Sequence, residues 1–253
     1  MLAGLAAGLL AGLLGIGGGL LVVPVLFFVL SQDSVHAAYA MHVALGSSLA
    51  FIVINSGMAT LTHQRLGGVR WREVRWLAPG LIVGGLLGAA IADQLPTAWL
   101  QRWFGGFLIV MAAYLFIQRI PDLPNRMARS WKSALAGLPI GLVASLAGVG
   151  GGVMLVPWLL TRGFRTADAV GTSSACTVLV ALVGTIGYAV ISDPVPLDGA
   201  TGYVYWPAVA AFAVTALVTA PFGARLAHRV NQRSLRRGFA LLVLLVGVKL
   251  LLG

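Results

Sequence analysis

"GLLGIGGGLLVVP", residues 12–24, places four glycines within five positions, inside a stretch of about thirty residues that carries no charge. Glycine costs a helix interior roughly 1 kcal/mol relative to alanine. The cluster therefore predicts a break where an apolar helix would otherwise continue. Deep in a bilayer no water can satisfy the N–H and C=O groups that such a break frees, so irregular backbone is tolerated there only where protein buries it or a cavity adjoins it.

The surrounding composition puts the break in a membrane. Of 253 residues 59% are hydrophobic and 9% charged, against about 25% charged in a soluble domain, and the mean hydropathy is +0.94. Apolar stretches occupy residues 1–30, 36–60, 76–92, 99–118, 134–160, 168–191, 205–224 and 236–252, and several are long enough to span. Trp71, Trp76, Trp99, Trp103, Trp131, Tyr203, Tyr205 and Trp206 mark their edges, as an interfacial aromatic belt does. Residues 1–30 lack the basic start of a secretory signal and are read as mature structure. The net charge of +10 lies in short segments between apolar stretches, where it orients the chain in a bilayer; no nucleic-acid partner is expected. The single cysteine, Cys176, excludes an intrachain disulfide and a cysteine-built metal site.

The opening stretch recurs as "SLAGVGGGVMLVP", residues 145–157, at an offset of 133. Gly15, Gly17, Gly18, Gly19 and Pro24 fall on Gly148, Gly150, Gly151, Gly152 and Pro157, and upstream Gly4 and Gly8 fall on Gly137 and Gly141. Downstream, "ALGSSLA" (44–50) matches "AVGTSSA" (169–175), and "GAAIADQLPTAWLQRWF" (88–104) matches "GARLAHRVNQRSLRRGF" (223–239). Three blocks in the same order twice make an internal duplication. The units are 1–120 and 134–253, joined by a basic cytoplasmic linker, 121–133.

Charge is distributed oppositely in the two units. The loop 61–76 carries Arg65, Arg70, Arg72 and Arg75, while its equivalent, 192–204, carries no Lys or Arg. The sparsely basic loops of the first unit, 31–36 and 93–102, correspond to 161–167 and 225–237, which hold seven arginines. With basic loops cytoplasmic, equivalent loops lie on opposite sides, and the units are inverted-topology repeats. Four simple crossings per unit cannot invert the second copy. The parity works when each glycine-broken segment enters, turns and leaves by one side. Residues 2–14 and 19–30 are then half-helices of about 20 Å at 1.5 Å per residue, followed by three full spans. Both termini lie outside and 119–133 inside. The alternative is a discontinuous helix that crosses fully, which puts the arginines of 225–237 on the wrong side. The expected fold is an all-α polytopic membrane protein of two such repeats.

Two inverted hairpins would bring the glycine clusters together near the midplane. Pro24 and Pro157 place the starts of the returning half-helices near residues 18–20 and 151–153. A helix N-terminus offers free N–H groups and partial positive charge, and successive glycine amides can curl around an anion. Gly15, Gly17, Gly18, Gly19, Gly148, Gly150, Gly151 and Gly152 are thus candidate substrate ligands. The competing reading is close packing, to which the four-residue series Gly4, Gly8, Gly12 and Gly80, Gly84, Gly88 are assigned outright. Ser47, Ser48, Thr172, Ser173 and Ser174 follow a glycine in each unit and could donate hydroxyls to the same anion, or bond back to their own helix. Asn55, deeper on the same span, is either a ligand or an interhelical hydrogen bond. His42 and Asp168 are ionisable residues near span ends, candidates for proton coupling or for interfacial placement. No nucleophile–base pair or metal constellation appears, so the chain is not read as an enzyme, and no cofactor is expected.

The doubled "GLLAGLLGIGGGLLVVPVL" and "GLVASLAGVGGGVMLVPWL", each followed by "ALGSS" or "AVGTSS", resemble the TauE/SafE family of membrane anion exporters over essentially the whole chain. The resemblance implies export of sulfite, sulfoacetate or related sulfur oxyanions across the inner, cytoplasmic membrane. Ser47-Ser48 in place of Thr172-Ser173 is a mild departure within the pattern. The leading expectation is a secondary transporter of a small oxyanion; no nucleotide-binding motif is present. The alternatives are a non-transporting membrane subunit or receptor, or an importer of another anion such as thiosulfate. The expected partners are the anionic substrate and the lipid bilayer, with homodimerisation left open.

Overall fold

Helices form wherever the apolar runs are long, and they stop at the glycines and at the short polar links. The computed structural model describes residues 19–32, 37–117, 131–191, 195–227 and 232–252, without side chains at 131–132, 217–227 and 232–236. Gly15, Gly17 and Gly18, with the half-helix expected at 2–14, lie outside the described residues. Nine α-helices appear among the described residues: α1 (Gly19–Leu30), α2 (Ala40–Arg65), α3 (Trp71–Gln94), α4 (Thr97–Ile117), α5 (Trp131–Leu146), α6 (Gly152–Thr161), α7 (Thr166–Val190), α8 (Trp206–Ala227) and α9 (Gln232–Leu252). A 3₁₀ turn, Ala37–Tyr39, leads into α2, and a hairpin of two short antiparallel strands, β1 (Ala200–Thr201) and β2 (Val204–Tyr205), precedes α8. α6 starts at Gly152, within the range that Pro157 predicted, and the described part of α1 begins at Gly19. Among the described residues four helical segments are long and apolar enough to cross a membrane: Ala37–Arg65, Trp71–Gln94, Thr97–Ile117 and Thr166–Val190.

The outer surface is apolar and the polar groups lie inside, the reverse of a soluble domain. Val83, Leu86, Leu87 and Ile91 of α3 and Val110 and Phe116 of α4 are exposed, whereas Ser47, Ser48, Thr172 and Ser173 are buried. The chain is an integral, multi-pass membrane protein.

Contacts fix the helix directions. On α3, a Cβ added at Gly80, Gly84 or Gly88 would fall 2.0, 2.1 and 2.6 Å from the carbonyl oxygens of Ala134, Leu138 and Leu142 on α5. The pairs advance together, so α3 and α5 run parallel, backbone to backbone, which only glycine permits. Gly137 and Gly141 of α5 meet the Leu77 and Leu81 carbonyls in return. The series Gly80, Gly84, Gly88 is a packing face, as assigned from sequence; Gly4, Gly8 and Gly12 lie outside the described residues. α7 also runs parallel to α3, since Gly85 meets Val180 and Val183 while Gly187 meets Ala89. α6, by contrast, is antiparallel to α7: Leu159 and Leu160 pack on Ala169 at one end, and Gly152 faces Thr177 at the other. α5 and α6 therefore point in opposite senses, and the chain reverses over residues 147–151. Equivalent helices α2 and α7 are antiparallel at the centre, with Gly46 on Tyr188, Leu49 on Gly184 and His63 on Gly171. At the periphery Gly105 of α4 and Gly247 of α9 each lie with the other's carbonyl oxygen 2.9 Å from an added Cβ, and Gln101 Nε2 donates to the Leu250 carbonyl at 2.9 Å.

Candidate anion site at the glycine reversal

The reversal is built from left-handed glycines. Gly148, Gly150 and Gly151 have φ of +62°, +69° and +87°, a region an L side chain enters only at a cost. α5 closes with the Gly148 amide donating to Ser145 and the Val149 amide to Ala144, at 3.1 and 3.0 Å. Gly151 caps α6, its carbonyl accepting from Met154 and Leu155 at 3.0 and 2.9 Å. Between these bonds the amides of Gly150, Gly151, Gly152 and Val153 have no acceptor among the described residues. Gly150 and Gly151 are buried, and Gly152 and Val153 half-buried. Unpaired amides at a buried helix start are an unmet demand for negative charge.

The second glycine segment, the neighbouring spans and Gly19 converge here. A Cβ at Gly19 would lie 2.6 Å from Ile52 Cδ1, 3.0 Å from the Gly148 oxygen and 3.1 Å from Val149 Cα, so Gly19 of α1 abuts the reversal at residues 148–149. Ser48 Oγ donates to the Gly148 carbonyl at 2.8 Å, tying α2 to the loop. Gly150 lies between Thr177 Cγ2 and Ile52 Cγ2, 2.7 and 2.8 Å from its added Cβ. Beside Gly152, Thr177 Oγ1 stands 3.2 Å from the Cβ position. Thr177 is only 4% exposed and its hydroxyl has no hydrogen-bond partner among the described residues.

Other sequence candidates are placed elsewhere or are already bonded. Ser47 Oγ accepts the Tyr205 amide at 2.9 Å and Thr172 Oγ1 accepts the Arg70 amide at 3.0 Å; both tie a span to the loop of the opposite repeat. Ser173 and Ser174 donate to the Val170 carbonyl of their own helix, each at 2.9 Å. Asn55 is half-buried on α2, past Ile52. His42 is buried at the start of α2, with Nε2 3.1 and 3.0 Å from the Ala92 and Leu95 carbonyls and Nδ1 3.3 Å from Thr97 Oγ1. Two carbonyls at Nε2 can only accept, so that nitrogen carries the proton. The His42 ring lies 4.7 Å from that of Tyr203. Asp168 accepts from Arg70 Nη2 at 2.8 Å.

Sequence reasoning passed over Thr177 and Ile52. A signal existed: the offset of 125 that lays "ALGSS" on "AVGTSS" also lays Ile52 on Thr177. Nothing in the linear pattern said that this position faces the glycines.

A polytopic helical bundle with buried backbone donors that find no acceptor among the described residues, at a chain reversal, has the build of a membrane transporter. Comparison agrees: residues 1–250 match the family described as Sulfite exporter TauE/SafE. Along its whole length the chain is 32% identical to a probable membrane transporter protein of Haemophilus influenzae, covering 97% of it. It is 26% identical to one of Methanocaldococcus jannaschii, again over its whole length and 94% of the relative. It is 25% identical to the probable membrane transporter protein YunE of Bacillus subtilis, over 91% of this chain and 86% of that one. No solved structure matches. The chain belongs to the TauE/SafE family, and it is a membrane transporter. Family and relatives alike point to transport rather than catalysis.

Proposed function

We propose that this transporter exports a small sulfur oxyanion, such as sulfite or an organosulfonate, across the cytoplasmic membrane. The observation that carries the reading is the run of amides at residues 150–153, without acceptors among the described residues, at the start of α6. They would hold an anion by hydrogen bonds and dipole alone, with no buried Lys or Arg among the described residues. The sulfur chemistry and the outward direction come from the family, whose printed description is a sulfite exporter. Two inverted-topology repeats, each with a re-entrant glycine hairpin, are part of the proposal. The antiparallel pairing of α2 with α7 and the opposed senses of α5 and α6 support it.

An anion held without a fixed countercharge keeps its own charge during crossing. A negative cell interior drives it outward by about 2.3 kcal/mol per charge for each 100 mV, so no coupled cation is needed. His42 and Asp168 are the groups through which proton coupling would act instead. In proteoliposomes holding sulfite, efflux should quicken as a potassium-diffusion potential makes the lumen more negative, with the pH gradient collapsed. Gly152→Ala tests the site itself. Gly152 does not need a left-handed φ, and its new methyl would stand 3.2 Å from Thr177 Oγ1, between the amides and the hydroxyl. The variant should fold and lose flux. Unchanged sulfite efflux in Gly152→Ala, or efflux that follows the pH gradient alone, would overturn the corresponding half of the proposal.

A further inference from the structure

The two spans that flank Gly150 carry equivalent positions of opposite chemistry. Thr177 on α7 and Ile52 on α2 correspond under the repeat offset, and both touch the same glycine, at 2.7 and 2.8 Å from its added Cβ. Thr177 turns its methyl toward Gly150 and its hydroxyl toward Gly152, at the start of α6. Threonines in helices ordinarily satisfy the hydroxyl on the carbonyl three or four residues back, as Thr60 does with Ser56 and Thr185 with Ala181, both at 2.7 Å. Thr177 does not: its hydroxyl is buried and has no partner among the described residues, beside four amides that have none there either. A buried hydroxyl without a partner is destabilising, and a shared ligand is the simplest way for both sets of donors to be satisfied. Ile52, fully buried opposite, offers only methyl groups.

We infer that Thr177 is a specificity-determining ligand of this site, and that the pair Thr177–Ile52 makes the site one-sided. Its donors lie on the α6–α7 side and its hydrocarbon on the α2 side. Such a site takes an oxyanion of the XO₃ type, whose fourth face is a lone pair or a carbon substituent turned to Ile52. It discriminates against XO₄ anions such as sulfate, which would press a desolvated oxygen on the isoleucine methyls. The inference rests on the anion site proposed above.

The test is binding and thermal unfolding of the purified full chain, with sulfite, sulfoacetate and sulfate as probes. Wild type should bind sulfite or sulfoacetate and bind sulfate at least tenfold more weakly. Thr177→Val keeps the shape and removes the hydroxyl; it should weaken sulfite binding by about tenfold to a hundredfold, the worth of a hydrogen bond to a charged group. The same variant should unfold at a higher temperature without ligand, because an unsatisfied buried hydroxyl is gone. Thr177→Ser should retain binding. Ile52→Thr supplies a donor on the bare side and should narrow the preference for sulfite over sulfate. Ser145→Ala is the control: that hydroxyl is also buried and unpaired, but it lies against Gly88 and Gly184 in the helix packing. It should change stability and leave binding alone. Should Thr177→Val not fold, Thr177→Ala gives the same reading. Wild-type sulfite affinity in the hydroxyl-less variant overturns the inference and leaves the anion site standing. Equal affinity of wild type for sulfite and sulfate overturns the one-sided selectivity. Failure of wild type to bind any of the three overturns the anion site itself, and the inference with it.

Discussion

The two ends of the central α2–α7 pair are built on one plan and closed by different chemistry. At one end Gly171 lets α7 approach the loop after α2, with the Gly68 carbonyl oxygen 2.5 Å from an added Cβ, and Thr172 next to it accepts the Arg70 amide. At the other, Gly46 lets α2 approach the hairpin before α8, with the Tyr203 carbonyl oxygen at 2.6 Å, and Ser47 next to it accepts the Tyr205 amide. Gly46 and Gly171 are equivalent, as are Ser47 and Thr172, and each pair grips the other repeat. The side chains beyond them differ. The Thr172 end is closed by the Arg70–Asp168 ion pair, its arginine half-exposed. The Ser47 end is closed by the His42 ring tilted 34° against that of Tyr203, with Tyr188 edge-on to the same ring at 6.3 Å. Shared backbone geometry holds the repeats together, and divergent side chains set how each end responds to its surroundings.

Adding one methyl at the shared glycines should break the comparison most severely. Gly46→Ala and Gly171→Ala each drive a Cβ into a carbonyl, and each should destabilise by about 2–3 kcal/mol. Gly57→Ala and Gly106→Ala, where an added Cβ meets nothing within 4 Å, should be neutral or gain about 0.5–1 kcal/mol from helix propensity. Unfolding of the purified variants in detergent reads the contrast. A similar loss at all four positions would mean that the close approach is not what the glycines serve.

Removing the hydroxyls that accept the loop amides comes next. Ser47→Ala and Thr172→Val each leave a backbone N–H without its acceptor, a loss of about 1–2 kcal/mol. The equivalence of the two ends predicts losses that agree within about 0.5 kcal/mol and add in the double variant, since the sites are independent. A large loss at one end alone would show that the shared plan is not shared in energy.

The smallest effect separates the ends instead of joining them. Asp168→Asn should cost below about 1 kcal/mol, because the half-exposed Arg70 end of the pair is screened by solvent, and its cost should shrink as salt rises. His42→Phe at the other end keeps a ring against Tyr203 and removes the nitrogens, so its effect should not follow salt. Unfolding at two ionic strengths measures both. Salt dependence at His42, or none at Asp168, would reverse the assignment of charge to one end and aromatic packing to the other.

Much of this was legible in the chain because glycine and proline act locally. Three near-consecutive glycines cannot continue a helix cheaply, and a proline shortly after them marks where a helix resumes, so the α6 start was readable. Glycines four apart share one helix face, so the α3–α5 contact surface was readable too. The choice among hydroxyls was not. Ser47, Ser48, Thr172, Ser173 and Ser174 follow the same glycine motif, yet they bond to a distant loop, to the glycine reversal, or to their own helix.

The sequence by itself determined that this is a duplicated, glycine-broken helical membrane protein, because composition, periodicity and local backbone cost are properties of neighbouring residues. The tertiary structure alone decided that Gly19 abuts Gly148, that Thr177 and Ile52 flank Gly150, and which hydroxyl stands without a partner among the described residues beside the amides of 150–153. Those depend on where segments a hundred residues apart come to rest. A hydroxyl's partner is set by that approach, since its hydrogen bond reaches only about 3 Å.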